Sequence, residues 1–286
     1  MLKGPASALY GRFEPGGVIN FVSKRPEENF GAEASITAGS DDYARLGVDL
    51  TGPLNADGSL LGRVNLAHED AGSFRDGIDN RQTFVSPVVA WRPDDDTSVV
   101  ARLEYLARDA AFDRGLGNNR LFLQVPPSRN YGEDFMRIRK EQWTGSVEFN
   151  RSLNADWRLR LGAFWSDVTV PEEEFFNYGF PTLSGTTVNR NFVSYRERQK
   201  DATVQAELYG NLTTGPIQHR VLIGTERSID RLAYIDGKIS FGNPIDLYQP
   251  VRSGRPGNYV SSGDSRYEFE TTALYMQDEI AWNRWR

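Results

Sequence analysis

Hydrophobic and polar residues alternate one by one along most of the chain after residue 30. One run places four apolar residues on one face: Trp143, Gly145, Val147 and Phe149. A period of two is that of a β-strand, whose successive side chains point to opposite faces. Ten such runs begin near residues 32, 44, 60, 82, 99, 142, 157, 202, 220 and 267. The pattern therefore predicts an all-β protein.

The length and the ends of these runs favour strands that cross a membrane. The runs are roughly 9–11 residues long, which is what a tilted strand needs to cross a bilayer. Aromatic residues stand where runs begin or end, as in the two interfacial girdles of a transmembrane barrel. These residues are Tyr43, Trp91, Tyr105, Trp143, Trp157, Trp165 and Tyr275.

The connectors between the runs alternate in length. Short ones cover residues 52–59, 92–97, 151–156 and 211–218, and long ones cover 71–80, 108–140, 171–200 and 232–266. The first connector, residues 40–42, is short and breaks this order. Outer-membrane barrels have short turns on the periplasmic side and long loops outside, so the alternation supports a barrel.

The polar face of the predicted sheet is charged. It includes Arg102, Glu104, Arg158, Arg160, Glu207, Glu226, Glu268 and Glu270. In a barrel this face would line the lumen while the apolar face met lipid. In the last run we expect Tyr267, Phe269, Thr271, Ala273 and Tyr275 to form the apolar face. Alternation alone also fits an antiparallel sheet with one solvated face, as in a soluble β-rich binding domain.

Composition excludes several other classes of protein. The chain has no cysteine, so disulfide frameworks, CxxC zinc sites and thiol catalysis are excluded. Its net charge is -6, and no basic face for nucleic acid is evident. The two histidines, His68 and His219, do not form a zinc-helix motif, and no GxSxG motif is present. We therefore expect neither an enzyme nor a metal site.

The first 26 residues break the alternation and carry a dense motif. Residues 2–11 read LKGPASALYG, and residues 15–26 read PGGVINFVSKRP. This combination resembles the C-terminal end of the plug of TonB-dependent siderophore receptors, most closely the ferric hydroxamate and ferric pyoverdine types. Residues 91–94 (WRPD) and 275–278 (YMQD) resemble a turn and a strand of the same barrels. The motif residues are Gly4, Pro5, Ser7, Tyr10, Gly11, Pro15, Gly16, Gly17 and Asn20.

The resemblance implies a particular fold class. We expect a partial antiparallel transmembrane β-barrel, about ten of 22 strands, preceded by the C-terminal end of a plug domain. Residues 1–26 would be the plug remnant, and residues 27–286 the N-terminal part of the barrel. Ten strands cannot close at that diameter. We therefore expect a piece of a longer receptor, without its signal peptide, TonB box, most of its plug and the second half of its barrel.

The same resemblance implies uptake of a ferric siderophore across the bacterial outer membrane, with no bond made or broken. The siderophore is a transported ligand, and no covalently bound cofactor is expected. The implied partners are the siderophore, the TonB–ExbB–ExbD complex and outer-membrane lipid. A passive porin-like channel, an outer-membrane hydrolase and a soluble β-rich binding domain remain as alternatives. A porin would lack the plug motif, and a hydrolase would need a catalytic site on the barrel wall that the sequence does not show.

Two sets of residues are candidates for contacts. A ligand cage above the plug would draw on loop aromatics and on arginines suited to an anionic chelate. Those candidates are Tyr131, Phe175, Phe176, Tyr178, Tyr195, Arg129 and Arg190. Their alternative role is to pack the loops or to sit in the outer aromatic girdle. Contacts between plug and barrel would join Arg12 and Glu14 to wall residues such as Arg102, Glu104 and Arg158.

Overall fold

The computed structural model describes residues 22–117, 120–181 and 185–282, and its regular structure is almost entirely β-strand. Ten strands follow one another along the chain: β1 Gly31–Ala38, β2 Ala44–Pro53, β3 Leu60–Ala71, β4 Asn80–Asp94, β5 Thr97–Ala111, β6 Arg137–Ser152, β7 Trp157–Pro181, β8 Thr187–Thr214, β9 Ile217–Asp246 and β10 Val260–Trp282. The one helix in these ranges is a 3-10 turn at Arg120–Gln124. No described helix has the length and hydrophobicity needed to cross a membrane.

All ten strands form one antiparallel sheet in which each strand pairs with its neighbours in sequence. Such a meander needs only hairpin connections, which the turn residues between the runs supply. Within the described ranges β1 pairs only with β2, and β10 only with β9, so the sheet is open. The prediction of about ten antiparallel strands in a partial barrel is confirmed.

The register brings the apolar positions of neighbouring strands into rows. One row crosses six strands through Gly62, Val89, Ala101, Val147, Ala163 and Val204. Along β8, alternate residues from 196 to 204 are exposed, whereas residues 195 to 205 between them are partly buried. This burial pattern indicates a sheet that curves toward its polar face. The apolar side is therefore the outer surface, and the polar side faces the lumen.

Most strands are longer than the sequence predicted, and the longest are β7, β8 and β9. β7, β8 and β9 have 25, 28 and 30 residues, because they continue as hairpins beyond the aromatic level of Tyr105, Trp143 and Trp165. The predicted long connectors at residues 171–200 and 232–266 are therefore wrong, since most of each is paired strand. The alternation of apolar and polar residues is weak there, because both faces of the extensions contact water or loops instead of lipid.

The predicted face of β10 is also wrong. Tyr275 pairs with Gly224, and its hydroxyl donates to Glu207 on the polar face. Glu270 instead binds Arg227 on the other side of the sheet. The apolar face of β10 consists of Leu274, Met276 and Ile280, which alternate with the residues that we had placed there. The aromatic residues of this strand line the lumen, so hydrophobicity alone assigned the face incorrectly.

Candidate functional site

A network of ion pairs crosses the polar face of strands β6 to β10. Arg160 lies at its centre, with its guanidinium 3.1 Å from Glu148 and 2.8 Å from Glu207. Glu207 also accepts hydrogen bonds from the hydroxyls of Tyr209 and Tyr275. Charged hydrogen bonds of this kind are stronger than neutral ones, so they hold the wall in a single arrangement.

Residues 22–28 run along this polar face. The Nζ atom of Lys24 lies 2.6 Å from Oδ2 of Asp49, which also binds Arg63 at 2.6 Å. Arg63 in turn reaches Glu27 at 2.8 Å. Asp49 and Arg63 are each only 10% exposed, so this part of the network is shielded from water. The segment before β1 is therefore anchored to strands β2 and β3.

Two more contacts extend this anchor across the wall. The hydroxyl of Ser23 donates to Glu104 on β5 at 3.1 Å. Arg25 lies 3.1 Å from Glu148 on β6. The segment thus touches strands from β2 to β6 before β1 begins. Sequence reasoning selected Glu104 but missed Lys24 and Arg25, because their partners lie 25 and 123 residues away and cannot be paired from one sequence.

The remaining candidates for plug–barrel contact have different positions. Arg102 lines a hollow of about 290 Å³ on the polar face together with Arg25. Arg158 lies near the short turns at the other end of the wall. In the described ranges no hydrogen bond or ion pair joins Arg102 or Arg158 to residues 22–28. Arg12, Glu14 and all the plug-motif residues between 4 and 20 lie outside the described residues.

The loops beyond the long strands share a hydrophobic core of their own, which we call the loop core. It is formed by Phe122, Val125, Tyr131, Met136, Phe176, Val188, Phe192, Ile245 and Leu247. These residues come from the β5–β6 loop, the β7–β8 hairpin and the end of β9 with its loop. Burial raises the pKa of the Tyr131 hydroxyl to about 12. The loops therefore pack as one unit.

A fully buried ion pair lies beside the loop core. Arg190 on β8 and Glu133 in the β5–β6 loop are 2.8 Å apart, and their side chains are 0% and 1% exposed. The guanidinium of Arg190 also donates to the carbonyl of Tyr131 at 2.6 Å. A buried charge without its partner is strongly destabilising, so each residue requires the other. This pair joins the β5–β6 loop to the β7–β8 hairpin.

The β9–β10 loop, residues 247–259, is bound to the same carboxylate, and we call this segment the strap. Glu133 accepts hydrogen bonds from the backbone N–H groups of Ser253 at 3.2 Å and of Gly254 at 3.0 Å. At the other end of the strap, the hydroxyl of Tyr131 donates to the carbonyl of Leu247 at 2.8 Å. Tyr131 and Glu133 of the β5–β6 loop thus hold both the β7–β8 hairpin and the strap in place.

Strand alternation divides the predicted ligand residues into two groups. Phe176 and Arg190 point into the loop core, whereas Phe175 and Tyr195 lie on the opposite face of the β7–β8 hairpin. The ring of Tyr195 meets Phe175 at 5.9 Å and Tyr234 of β9 at 5.3 Å, both edge to face. Along β8 this second face continues into the polar wall of the sheet.

The other candidates belong with the loop core. Tyr131 is fully buried. Tyr178 is partly buried against the loop core, and its hydroxyl donates to the carbonyl of Gly115. Arg129 lies near Tyr131, and its carbonyl accepts a hydrogen bond from Arg75. Of the candidates on the β7–β8 hairpin, Phe175 and Tyr195 lie on the face that is continuous with the lumen.

Sequence reasoning missed the acidic residues beside these rings. Glu173 is the register partner of Tyr195, and the phenol hydroxyl hydrogen-bonds to its carboxylate. Burial raises the pKa of Glu173, and the charge of Glu197 adds to the rise, against the effect of this hydrogen bond. Both residues lie beyond the outer aromatic level. Among the described residues no group of three or more acidic or histidine side chains is placed to hold a metal ion.

Comparison with known proteins shows what the chain resembles. Residues 89–286 match a family model described as TonB dependent receptor-like, beta-barrel. The fold is also that of a solved structure, the ferric-catecholate import receptor Fiu of Escherichia coli K12, with a TM-score of 0.85 at 23% identity. That match covers 99% of this chain and 43% of the Fiu chain. At this identity the likeness shows the fold alone.

Several relatives align with the whole chain, and two of them show its character. It is 35% identical to the Metal-pseudopaline receptor CntO of Pseudomonas aeruginosa (strain UCBPP-PA14) and 26% identical to the Ferrioxamine B receptor of Salmonella typhimurium (strain SL1344). Both are receptors rather than enzymes. Each alignment covers 41% of the relative, so the chain spans about two fifths of the length of these proteins.

Proposed function

Because this chain belongs to the TonB-dependent receptor β-barrel family, whose members are outer-membrane proteins, we propose that it serves in the uptake of a ferric siderophore. The ligand binds at the outer face and passes to the periplasm. The observation that carries the proposal is the family match over residues 89–286, together with a lumen wall that continues into the aromatic face of the loops. The relatives named for pseudopaline and ferrioxamine B support a metal chelate as the cargo.

In this proposal residues 1–26 are the end of a plug and residues 27–286 the first part of the barrel. The contacts of Ser23, Lys24 and Arg25 with the polar wall support a plug end that lies against the lumen side of the barrel. The TonB–ExbB–ExbD complex supplies the energy for transport, and lipid covers the apolar face. No covalent cofactor takes part.

The ligand residues fall into two roles. Phe175 and Tyr195 contact the chelate, since they face the lumen. Tyr131, Phe176, Tyr178, Arg129 and Arg190 instead hold the loops in shape. Arg190, which the sequence offered for an anionic chelate, thus acts on the protein and not on the ligand, because it is fully buried against Glu133.

An uptake assay tests the function. The receptor that carries this sequence is expressed in a bacterial strain without its own siderophore receptors, and growth under iron limitation is measured with hydroxamate, catecholate and opine-type ferric chelates. We expect growth with at least one chelate and none when TonB is deleted. Growth that persists without TonB would indicate a passive channel, and no growth with any chelate would contradict siderophore uptake.

A further inference from the structure

One patch on the lumen-facing side of the outer hairpins combines aromatic rings with carboxylates. It consists of Glu173, Phe175, Tyr195, Glu197 and Tyr234, and we call it the acidic aromatic wall. The three rings form a continuous edge-to-face series, with interplanar angles of 81° and 90°. Tyr195 stands opposite Glu173, and Tyr234 stands opposite Glu197 in the strand register. All five side chains are partly exposed.

The carboxylates of this wall have no basic partner. Neither Glu173 nor Glu197 forms an ion pair in the described part of the chain. The nearest basic side chain on the same face of β6 is Lys140, two residues from the register partner of Glu173, and it forms no ion pair with either glutamate. By contrast, Glu174 on the other face of β7 is bound by Arg255 at 2.6 Å. The negative charge of the wall is therefore uncompensated.

Basic residues of the same strands lie on the opposite side. Along β8 the order is Tyr195, Arg196, Glu197, Arg198, Gln199, Lys200 and Asp201, so alternation sends the cations to one face and the acids to the other. Arg198 and Lys200 both bind Asp167 there at 3.2 Å. Charge is thus segregated across the hairpin, and the cations do not reach the lumen side.

Aromatic rings, and carboxylates that have no ion-pair partner, are both ligands for an organic cation. The faces of tyrosine and phenylalanine attract ammonium groups, and a carboxylate adds a charged hydrogen bond. The wall is not placed to hold a bare metal ion, since no metal-binding group of three acidic or histidine side chains occurs among the described residues. The feature that it fits is therefore a cationic group on the chelating molecule.

We propose that the acidic aromatic wall selects ferric chelates that carry a free ammonium group over neutral or anionic ones. This inference rests on the proposed function, because it names the charge of the cargo. Glu173 and Glu197 attract the ammonium group, while Tyr195 and Tyr234 contact it through their rings. The sequence alone suggested the opposite charge, because it offered arginines as the polar ligands of the chelate.

The test compares two chelates that differ only in this charge. Ferrioxamine B has a terminal ammonium group, and its N-acetyl derivative has a neutral amide in the same place. Binding of both is measured on the receptor that carries this sequence, in outer-membrane vesicles at low salt. We expect the cationic chelate to bind roughly tenfold more tightly than the acetylated one. Added salt should reduce this preference, since it screens the attraction.

Two isosteric substitutions locate the effect. Glu173→Gln and Glu197→Gln should each weaken binding of ferrioxamine B severalfold and leave the acetylated chelate unchanged. Glu268→Gln removes the same charge from the opposite face, where Glu268 binds Arg231, and should change neither. Unchanged binding of the acetylated chelate also shows that the variants are folded.

The outcomes separate the two proposals. If both chelates bind equally, or if the substitutions do not alter their ratio, the charge selection is wrong and siderophore binding stands. If neither chelate binds, charge selection on this cargo is again refuted. The wider growth assay with the other chelates then decides whether the uptake function also fails.

Discussion

At the scale of single residues, burial decides which side chains can meet a ligand. Arg190 is an arginine in an outer hairpin, and its residue type suggests an anion site. Its contacts show that it binds Glu133, 57 residues away in the sequence, and the carbonyl of Tyr131. No local sequence pattern indicates such a pair, so the sequence alone could identify Arg190 as a candidate but could not assign its role. Phe175 and Phe176 are a second example, because adjacent residues of one strand lie on opposite faces and therefore in different environments.

The buried pair predicts a measurable effect on the strap. Glu133→Gln leaves the guanidinium of Arg190 without a counter-charge and should destabilise the docked loops by about 3–5 kcal/mol. The strap contains Arg252, so its release can be followed as faster trypsin cleavage at that residue. The double variant Arg190→Met with Glu133→Leu should recover part of the loss, because it leaves no charge unpaired.

The control for this experiment is an ion pair on the surface. Arg81→Gln breaks the exposed pair with Asp70, which contributes about 1 kcal/mol or less, and should leave the cleavage rate unchanged. Cleavage at Arg252 that is as slow in Glu133→Gln as in the parent protein would show that the strap is held by other contacts.

Glu173 also predicts a dependence on pH. Its pKa is raised by burial and by Glu197, so its negative charge is lost at a higher pH than that of an ordinary glutamate. Binding of ferrioxamine B should therefore weaken as the pH is lowered, and should do so at a higher pH than an ordinary glutamate would give, while binding of its neutral derivative stays constant. Binding titrations at several pH values measure this. The slope should become smaller in Glu173→Gln, and an unchanged slope would assign the pH effect to another group.

At the scale of strands, the alternation of residues predicted the sheet well wherever lipid meets one face. The short turns observed at residues 54–59, 95–96, 153–156 and 215–216 all fall within predicted short connectors. Prediction failed where that contrast is absent. The extensions of β7 and β8 beyond Trp165 have water or loops on both faces, and β10 has aromatic residues on its lumen side. Hydropathy shows only that the residues of a face are apolar, so it cannot separate aromatic residues that face the lumen from residues that face lipid.

The corrected face of β10 predicts a contrast between two nearby positions. Met276 is 70% exposed on the apolar face, so Met276→Arg would place a charge in lipid and cost about 2–4 kcal/mol near the bilayer centre. Ala273→Arg would place it in the lumen, opposite Glu226, and should be tolerated. The amount of folded receptor in outer membranes measures both. If Ala273→Arg lowered the amount of folded receptor more than Met276→Arg did, the lipid-facing side of β10 would be the one that the sequence first suggested.

At the scale of the whole molecule, the open sheet has two requirements that water does not meet. Large hydrophobic side chains are exposed across the apolar face, among them Leu46, Val204, Ile223 and Leu274. In the described ranges, β1 and β10 also leave one side of their backbones unpaired. Exposed edges of this kind promote association with other strands, and unpaired backbone groups are not tolerated in lipid. The sheet therefore needs lipid on one face and further strands at its edges.

These requirements predict the behaviour of the 286 residues expressed by themselves. In plain buffer the chain should aggregate, because its apolar face and both edges associate with other copies. Detergent should reduce aggregation by covering the apolar face, yet leave assemblies larger than one chain, because detergent cannot pair the edge strands. Light scattering and size-exclusion chromatography, with and without detergent, measure the two effects separately. A chain that remained a folded monomer in buffer would contradict the lipid-facing surface and would support the alternative of a soluble β-rich binding domain.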